Sequence, residues 1–122
     1  MSESIYAIRG ATTVEFDSVS AIDNAVKEMF SEILSRNSIT EDEISFVLFS
    51  QTSDLKSRNA AAAVRKAGYC ASVPLFCVQE AEINGMLDKV IRVLVQVNHP
   101  KNGDPKMLYL NRAEKLRPDL KR

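Results

Sequence analysis

Two arginines stand where a chain seldom puts them. Arg9 lies among small and apolar residues in Ile5-Tyr6-Ala7-Ile8-Arg9-Gly10-Ala11, and Arg92 lies between Ile91 and Val93. Loops are the cheap place for a guanidinium, so one inside an apolar run needs a partner. Two readings are open. Each arginine is either an edge-strand charge or the partner of a carboxylate such as Glu80, or the arginines build a local pocket for carboxylates, whose oxygens match the planar donor fork bidentately. Taken singly, Glu80 reads as a solvated or ion-paired side chain, Tyr109 as a half-buried sheet aromatic and Cys77 as a small core residue.

Other chemistry is poorly served. The one histidine, His99, sits beside Pro100 in a turn cluster, and no serine stands at a strand-to-helix elbow. HExxH, a P-loop and a GxGxxG fingerprint are all absent, so no motif points to a metal or a nucleotide, and no cofactor is expected. Sixteen basic residues balance sixteen acidic ones, which argues against a broad electrostatic grip on nucleic acid or an anionic membrane. Any anion recognition must be local. Met1-Ser2-Glu3-Ser4 does not open a signal peptide and no apolar run is long enough to span a bilayer, so the chain reads as cytoplasmic. Cys70 and Cys77, seven apart, fit neither a redox pair nor a zinc knuckle and read as free thiols.

The elements that must position these side chains fit one domain of 122 residues, with little room for a deep internal cavity. A site shared between subunits is therefore worth considering. Tyr6 to Val14 is a strand candidate, and Gly10 within it allows another backbone or a ligand to come close. Asp17 and Ser18 are N-cap residues for an amphipathic helix whose apolar positions run Ile22, Ala25, Val26, Met29, Phe30, Ile33 and Leu34, ending near Asn37. Thr40-Glu41-Asp42-Glu43 fits a capping box. Ile44 to Phe49, apolar at successive positions, predicts a central strand covered on both sides. Gln51-Thr52-Ser53-Asp54 reads as a polar loop. Asn59 to Ala67 reads as a short alanine-rich helix stopped by Gly68. Val73 to Val78 is a strand, Ala81 to Lys89 a loop or short helix, and Val90 to Asn98 the most β-rich run. After a turn cluster over 99–105, Met107 to Leu110 predicts a last strand antiparallel to its predecessor. The order β-α-β-α-β-β-β predicts an α/β domain with a single mixed β-sheet and helices packed on it. On these grounds alone the reading ends at an α/β domain suited to a small dianion.

The blocks Ala7-Ile8-Arg9-Gly10-Ala11-Thr12-Thr13-Val14-Glu15, Ile91-Arg92-Val93, Leu108-Tyr109-Leu110 and Leu116-Arg117-Pro118-Asp119-Leu120 together resemble the AroH-class chorismate mutase family. The resemblance spans nearly the whole chain. It implies a pseudo α/β barrel assembled as a homotrimer with pockets at the subunit interfaces, and a cofactor-free isomerase of aromatic amino-acid biosynthesis that turns chorismate into prephenate. By the same resemblance Arg9, Arg92 and Tyr109 bind the substrate's carboxylates or ether oxygen, with Arg92 on the oxygen that gains charge. Glu80 and Cys77 bind the ring hydroxyl. Phe76, Val78, Gln79, Ala61 and Arg65 fall where the family has pocket segments, and Leu116 and Arg117 match a segment near the pocket within a tail, 116–122, that reads otherwise as mobile. The chain departs from the family at Asn59-Ala60-Ala61-Ala62, where an aromatic and often a lysine are usual, and at Phe76, which is bulkier than usual and a candidate to refill the lost aromatic's space. The competing expectation is a catalytically weak module that binds a chorismate-like dicarboxylate.

Overall fold

The computed structural model describes residues 5–98 and 104–118, and within them five strands form one mixed sheet with helices packed on it. The chain runs β1 (Ile5–Thr13), α1 (Val19–Asn37), a 3-10 turn (Glu41–Glu43), β2 (Ile44–Gln51), α2 (Ala60–Lys66), β3 (Leu75–Gln79), β4 (Val90–Asn98), β5 (Leu108–Tyr109) and a closing 3-10 helix (Asn111–Leu116). In space the order is β3-β2-β4-β1-β5. β1 and β2 flank β4 antiparallel, whereas β3 is parallel to β2 and β5 is parallel to β1. No helix among the described residues is long and apolar enough to cross a membrane.

Local chemistry accounts for most boundaries. Ser18 caps α1 by accepting the Ala21 N–H, while Asp17, the other cap candidate, instead accepts the backbone N–H groups of Lys56 and Ser57. The capping box at Thr40 and Glu43 forms. Asn59 caps α2 through the N–H groups of Ala61 and Ala62, and Gly68 takes the positive φ of 95° just beyond the helix. Ala81 to Lys89 contains turns and no helix, and β3 starts at Leu75, two residues later than expected.

Two expectations about the sheet need correction. β5 does not pair with β4 as an antiparallel neighbour. Both edges of β4 are already taken by β1 and β2, so Leu108 and Tyr109 add to the free edge of β1, in parallel, opposite Gly10 and Ala11. Nor is β2 the central strand covered on both sides. β4 is central, and β2 buries Val47 and Phe49 against the helices while Phe46, Leu48 and Ser50 stay half-buried on the other face.

That asymmetry organises the molecule. Cross-strand partners point to the same side of a sheet, so the register puts Phe76 and Val78, Phe46, Leu48 and Ser50, Arg92, Leu94 and Gln96, Ala7, Arg9 and Ala11, and Tyr109 on one face. Their neighbours Ile8, Val47, Phe49, Ile91, Val93, Val95 and Leu108 form the other face and meet Ile22, Val26, Met29, Phe30 and Ile33 of α1 and Ala60, Ala63 and Val64 of α2 in the main core. Among the described residues the arginine-bearing face is covered at its β5 end, where Ala113 and Leu116 of the closing helix pack on Ala11 and Tyr109.

Candidate active site

Arg9, Arg92 and Tyr109, one hundred residues apart at the extremes, line one open cavity of about 190 Å³ on the exposed sheet face. The pairings do this directly. Ala11 stands opposite Arg92 on β4 and opposite Tyr109 on β5, and Arg9 is two positions along the same strand. Gly10, between them, is closely bounded, since a Cβ would stand 3.1 Å from the Leu108 carbonyl oxygen and 3.2 Å from Ile33 and Val93, a tight fit on all three sides. The glycine thus lets β5, and with it Tyr109, lie close to β1.

Arg92 has found the carboxylate partner that its place in an apolar run calls for. Its Nε lies 3.0 Å from Oε2 of Glu80, with the side chains 47% and 24% exposed. Glu80 is held in place by its own N–H, which donates to the Gln51 carbonyl at 2.9 Å. Arg9 meets no carboxylate among the described residues. The cavity therefore offers one guanidinium without an anionic partner among the described residues and one already oriented by a carboxylate, with a phenol and the Ser50 side chain beside them. This is donor chemistry for a small anion with several oxygens.

The remaining candidates lie elsewhere. Cys77 points toward the helix side, where its thiol donates to Gln51 Oε1 at 3.2 Å. Burial pushes that thiol's pKa up, opposed by the backbone N–H groups of Ala60 and Ala61. Cys77, Val78, Gln79, Arg58 and Asn59 line a separate cleft of about 370 Å³. Ala61 is half-buried against the core, and Arg65 is exposed on the last turn of α2. Phe76, 69% exposed, lines an apolar hollow of about 280 Å³ with Phe46, Leu48 and Pro74. It leaves β3 on the face opposite Cys77, so within one chain it does not refill the space beside Asn59. Leu116 borders the Tyr109 cluster, and Arg117 ends the closing helix, while residues 119–122 lie outside the described part.

Sequence reading missed Gln51. Its amide donates to the carbonyls of Leu55 and Arg58, both at 3.0 Å, and its oxygen accepts the Ala60 N–H at 2.9 Å and the Cys77 thiol, so it ties the loop after β2 to α2 and β3. No motif marks it. Ser50 and Leu94 were missed for a related reason, because only the pairing of Ser50 with Arg92 and of Arg9 with Leu94 puts them in the cavity.

Comparison with known proteins bears on what such a cavity serves. The family model for chorismate mutase type I matches residues 5–120, nearly the full chain. The chain belongs to the chorismate mutase type I family. Family relatives include the chorismate mutase AroH of Thermus thermophilus, 40% identical over 118 residues, covering 95% of this chain and 96% of the relative. The chorismate mutase AroH of Bacillus subtilis (strain 168) is 37% identical over 117 residues, covering 95% and 92%. Among solved structures, a chorismate mutase from Clostridium thermocellum aligns with a TM-score of 0.83 at 35% identity, over 90% of this chain and 98% of that one.

Proposed function

We propose that the protein is a chorismate mutase that converts chorismate to prephenate by an intramolecular Claisen rearrangement. Family membership supports the reaction, and the observation that carries it at the site is the meeting of Arg9, Arg92 and Tyr109 on one cavity. In this rearrangement one C–O bond breaks while one C–C bond forms within a single molecule, so the side chain migrates across the ring and no proton or hydride is transferred. What the protein must supply is a fixed, compact substrate conformation and donors for the ether oxygen that gains negative charge. Arg92 is taken as that donor. Arg9 and Tyr109 hold substrate oxygens, and Glu80 orients Arg92 and accepts from the ring hydroxyl, with Cys77 as the hydroxyl's second partner. Neither Glu80 nor Cys77 acts as a base or nucleophile.

In this reading the working form is a homotrimer whose pockets lie between subunits. Its support is a division within the chain. Arg9, Arg92, Tyr109 and Glu80 attend the open sheet face, whereas Cys77 and the α2 residues Ala61 and Arg65 lie on the helix side. A second copy that brings its cleft to the first copy's cavity would unite the two sets. The reading also takes the reaction to be cytoplasmic and part of phenylalanine and tyrosine biosynthesis, and the support for that is the resemblance.

The test is the loss of chorismate absorbance with purified protein. Wild type is expected to form prephenate, and Arg92→Ala to lose at least about a hundredfold in turnover, on the order of 3 kcal/mol of transition-state stabilisation. Arg92→Lys keeps the charge without the fork and should restore activity only in part. Full activity in Arg92→Ala would remove the guanidinium from the mechanism. A folded wild type without turnover would return the protein to the dicarboxylate-binding reading, which ligand-induced stabilisation then tests.

A further inference from the structure

Arg112 lies outside the arginine cavity, yet it ties together the segments that deliver the cavity's side chains. Its Nη1 donates to Asp88 Oδ1 at 2.9 Å, and its Nη2 donates to the Asp88 carbonyl at 3.2 Å and to the Val14 carbonyl at 3.5 Å. Its own backbone N–H donates to Thr13 Oγ1 at 3.2 Å, and the neighbouring Asn111 amide donates to Thr12 Oγ1 at 3.0 Å. One guanidinium thus joins the end of β1, the loop entering β4 and the start of the closing helix. Around it the same three segments are stitched by backbone, with Val14 N–H donating to the Lys89 carbonyl and Leu110 N–H to the Ala11 carbonyl. The Lys89 N–H in turn donates to the Asp54 carboxylate, at 3.1 Å to one oxygen and 3.3 Å to the other. The Lys89 and Arg112 side chains both hold the Asp88 carboxyl below its ordinary pKa.

The placement relative to the site gives this cluster its meaning. Arg92 comes four residues after Asp88, and Tyr109 three residues before Arg112. β5 is only two residues long, so its short ladder with β1 leaves much of Tyr109's position to the anchoring of the closing helix. We propose that Arg112 is a positioning residue, a latch to Asp88 that holds Arg92 and Tyr109 in mutual register across β1 without touching the substrate. The inference rests on the chorismate mutase reading for its kinetic consequence.

The test compares wild type, Arg112→Ala, Arg112→Lys, Asp88→Ala and the double variant Arg112→Ala/Asp88→Ala in chorismate turnover and thermal unfolding, with amide hydrogen exchange on wild type and Arg112→Ala. Arg112→Ala is expected to lose about tenfold in kcat/KM, mainly in kcat, because displacement of a remote support misplaces the donor. Arg112→Lys should recover part of the loss. The double variant should be little worse than Arg112→Ala, since the Arg112–Asp88 contact is lost in both single changes and the Lys89 pair that Asp88→Ala also removes is an exposed one. Wild-type kcat/KM in Arg112→Ala, multiplying losses in the double variant, or a lower unfolding temperature with kcat unchanged would each overturn the latch. If wild type does not turn over chorismate, the functional reading fails separately and exchange decides the latch. Faster exchange confined to the amides of Val14, Leu110 and Arg112 in Arg112→Ala would sustain it, and unchanged protection there would overturn it.

Discussion

Arg92 stands on the central strand of the sheet and still keeps about half of its side chain in solvent, 47%, because no helix among the described residues lies over that part of its face. Its pair with Glu80 is open enough that it contributes at most about 1 kcal/mol to stability, so its proposed use is to orient the fork. The thiols show the opposite situation. Burial, reinforced by the Glu41 charge, pushes Cys70 up to about 12, and burial also raises Cys77. Both are therefore protonated at neutral pH, and a protonated thiol is a poor nucleophile. Iodoacetamide at near-neutral pH should leave Cys70 unmodified in the native protein and alkylate Cys77 far more slowly than in urea, as read by mass spectrometry. Rapid native labelling of Cys77 would mean that its thiol is ionised, and its proposed role as a neutral donor would fall.

At the scale of the element, the sheet's order results from competition for edges. β4 takes β1 on one side and β2 on the other, which leaves β5 the outer edge of β1. The position is possible because residue 10 has no side chain, and the backbone of β5 and the tip of Ile33 occupy the space that one would need. Gly10→Ala should destabilise the fold by about 1 to 3 kcal/mol, since the nearest obstacle is a backbone carbonyl that cannot swing aside. Denaturant unfolding measures this, and under the proposed mechanism Tyr109 moves with β5, so turnover should fall in molecules that remain folded. A variant as stable as wild type would show that β5 shifts freely.

At the scale of the whole molecule the telling feature is a sheet with one face packed and the other, among the described residues, largely bare. Phe76 at 69% exposure and Val78 at 42% join Phe46 and Leu48 along β2 and β3, an apolar surface of the kind that marks an interface. If that surface is the one buried in the proposed trimer, Phe76→Asp puts a charge into it at little cost to the single chain, whose Phe76 is already in water. Sedimentation equilibrium should then find wild type trimeric and Phe76→Asp monomeric with unchanged helix content, and turnover reduced at least about tenfold because each pocket loses its second half. A trimeric Phe76→Asp would place the interface elsewhere.

Much of this was legible residue by residue. The spacing from Ile22 to Leu34, the caps at Ser18 and Thr40 and the stop at Gly68 specify their elements through hydrogen bonds and periodicities a few residues long, and the extent of β4 is set by its run of β-branched residues. Arg9 and Arg92 were conspicuous because a charge inside an apolar run needs an explanation, and the resemblance told which reaction would use them. The partner of each strand was not legible, since the pairing of Ala11 with Arg92 and Tyr109 depends on which edges are vacant once every other strand has docked. The pairings together put β5 beside β1, brought Ser50 into the cavity opposite Arg92 and turned Cys77 away from it with Phe49. Alternation along a strand says that two side chains share a face, and only packing with the rest of the chain says which face is covered and which is open.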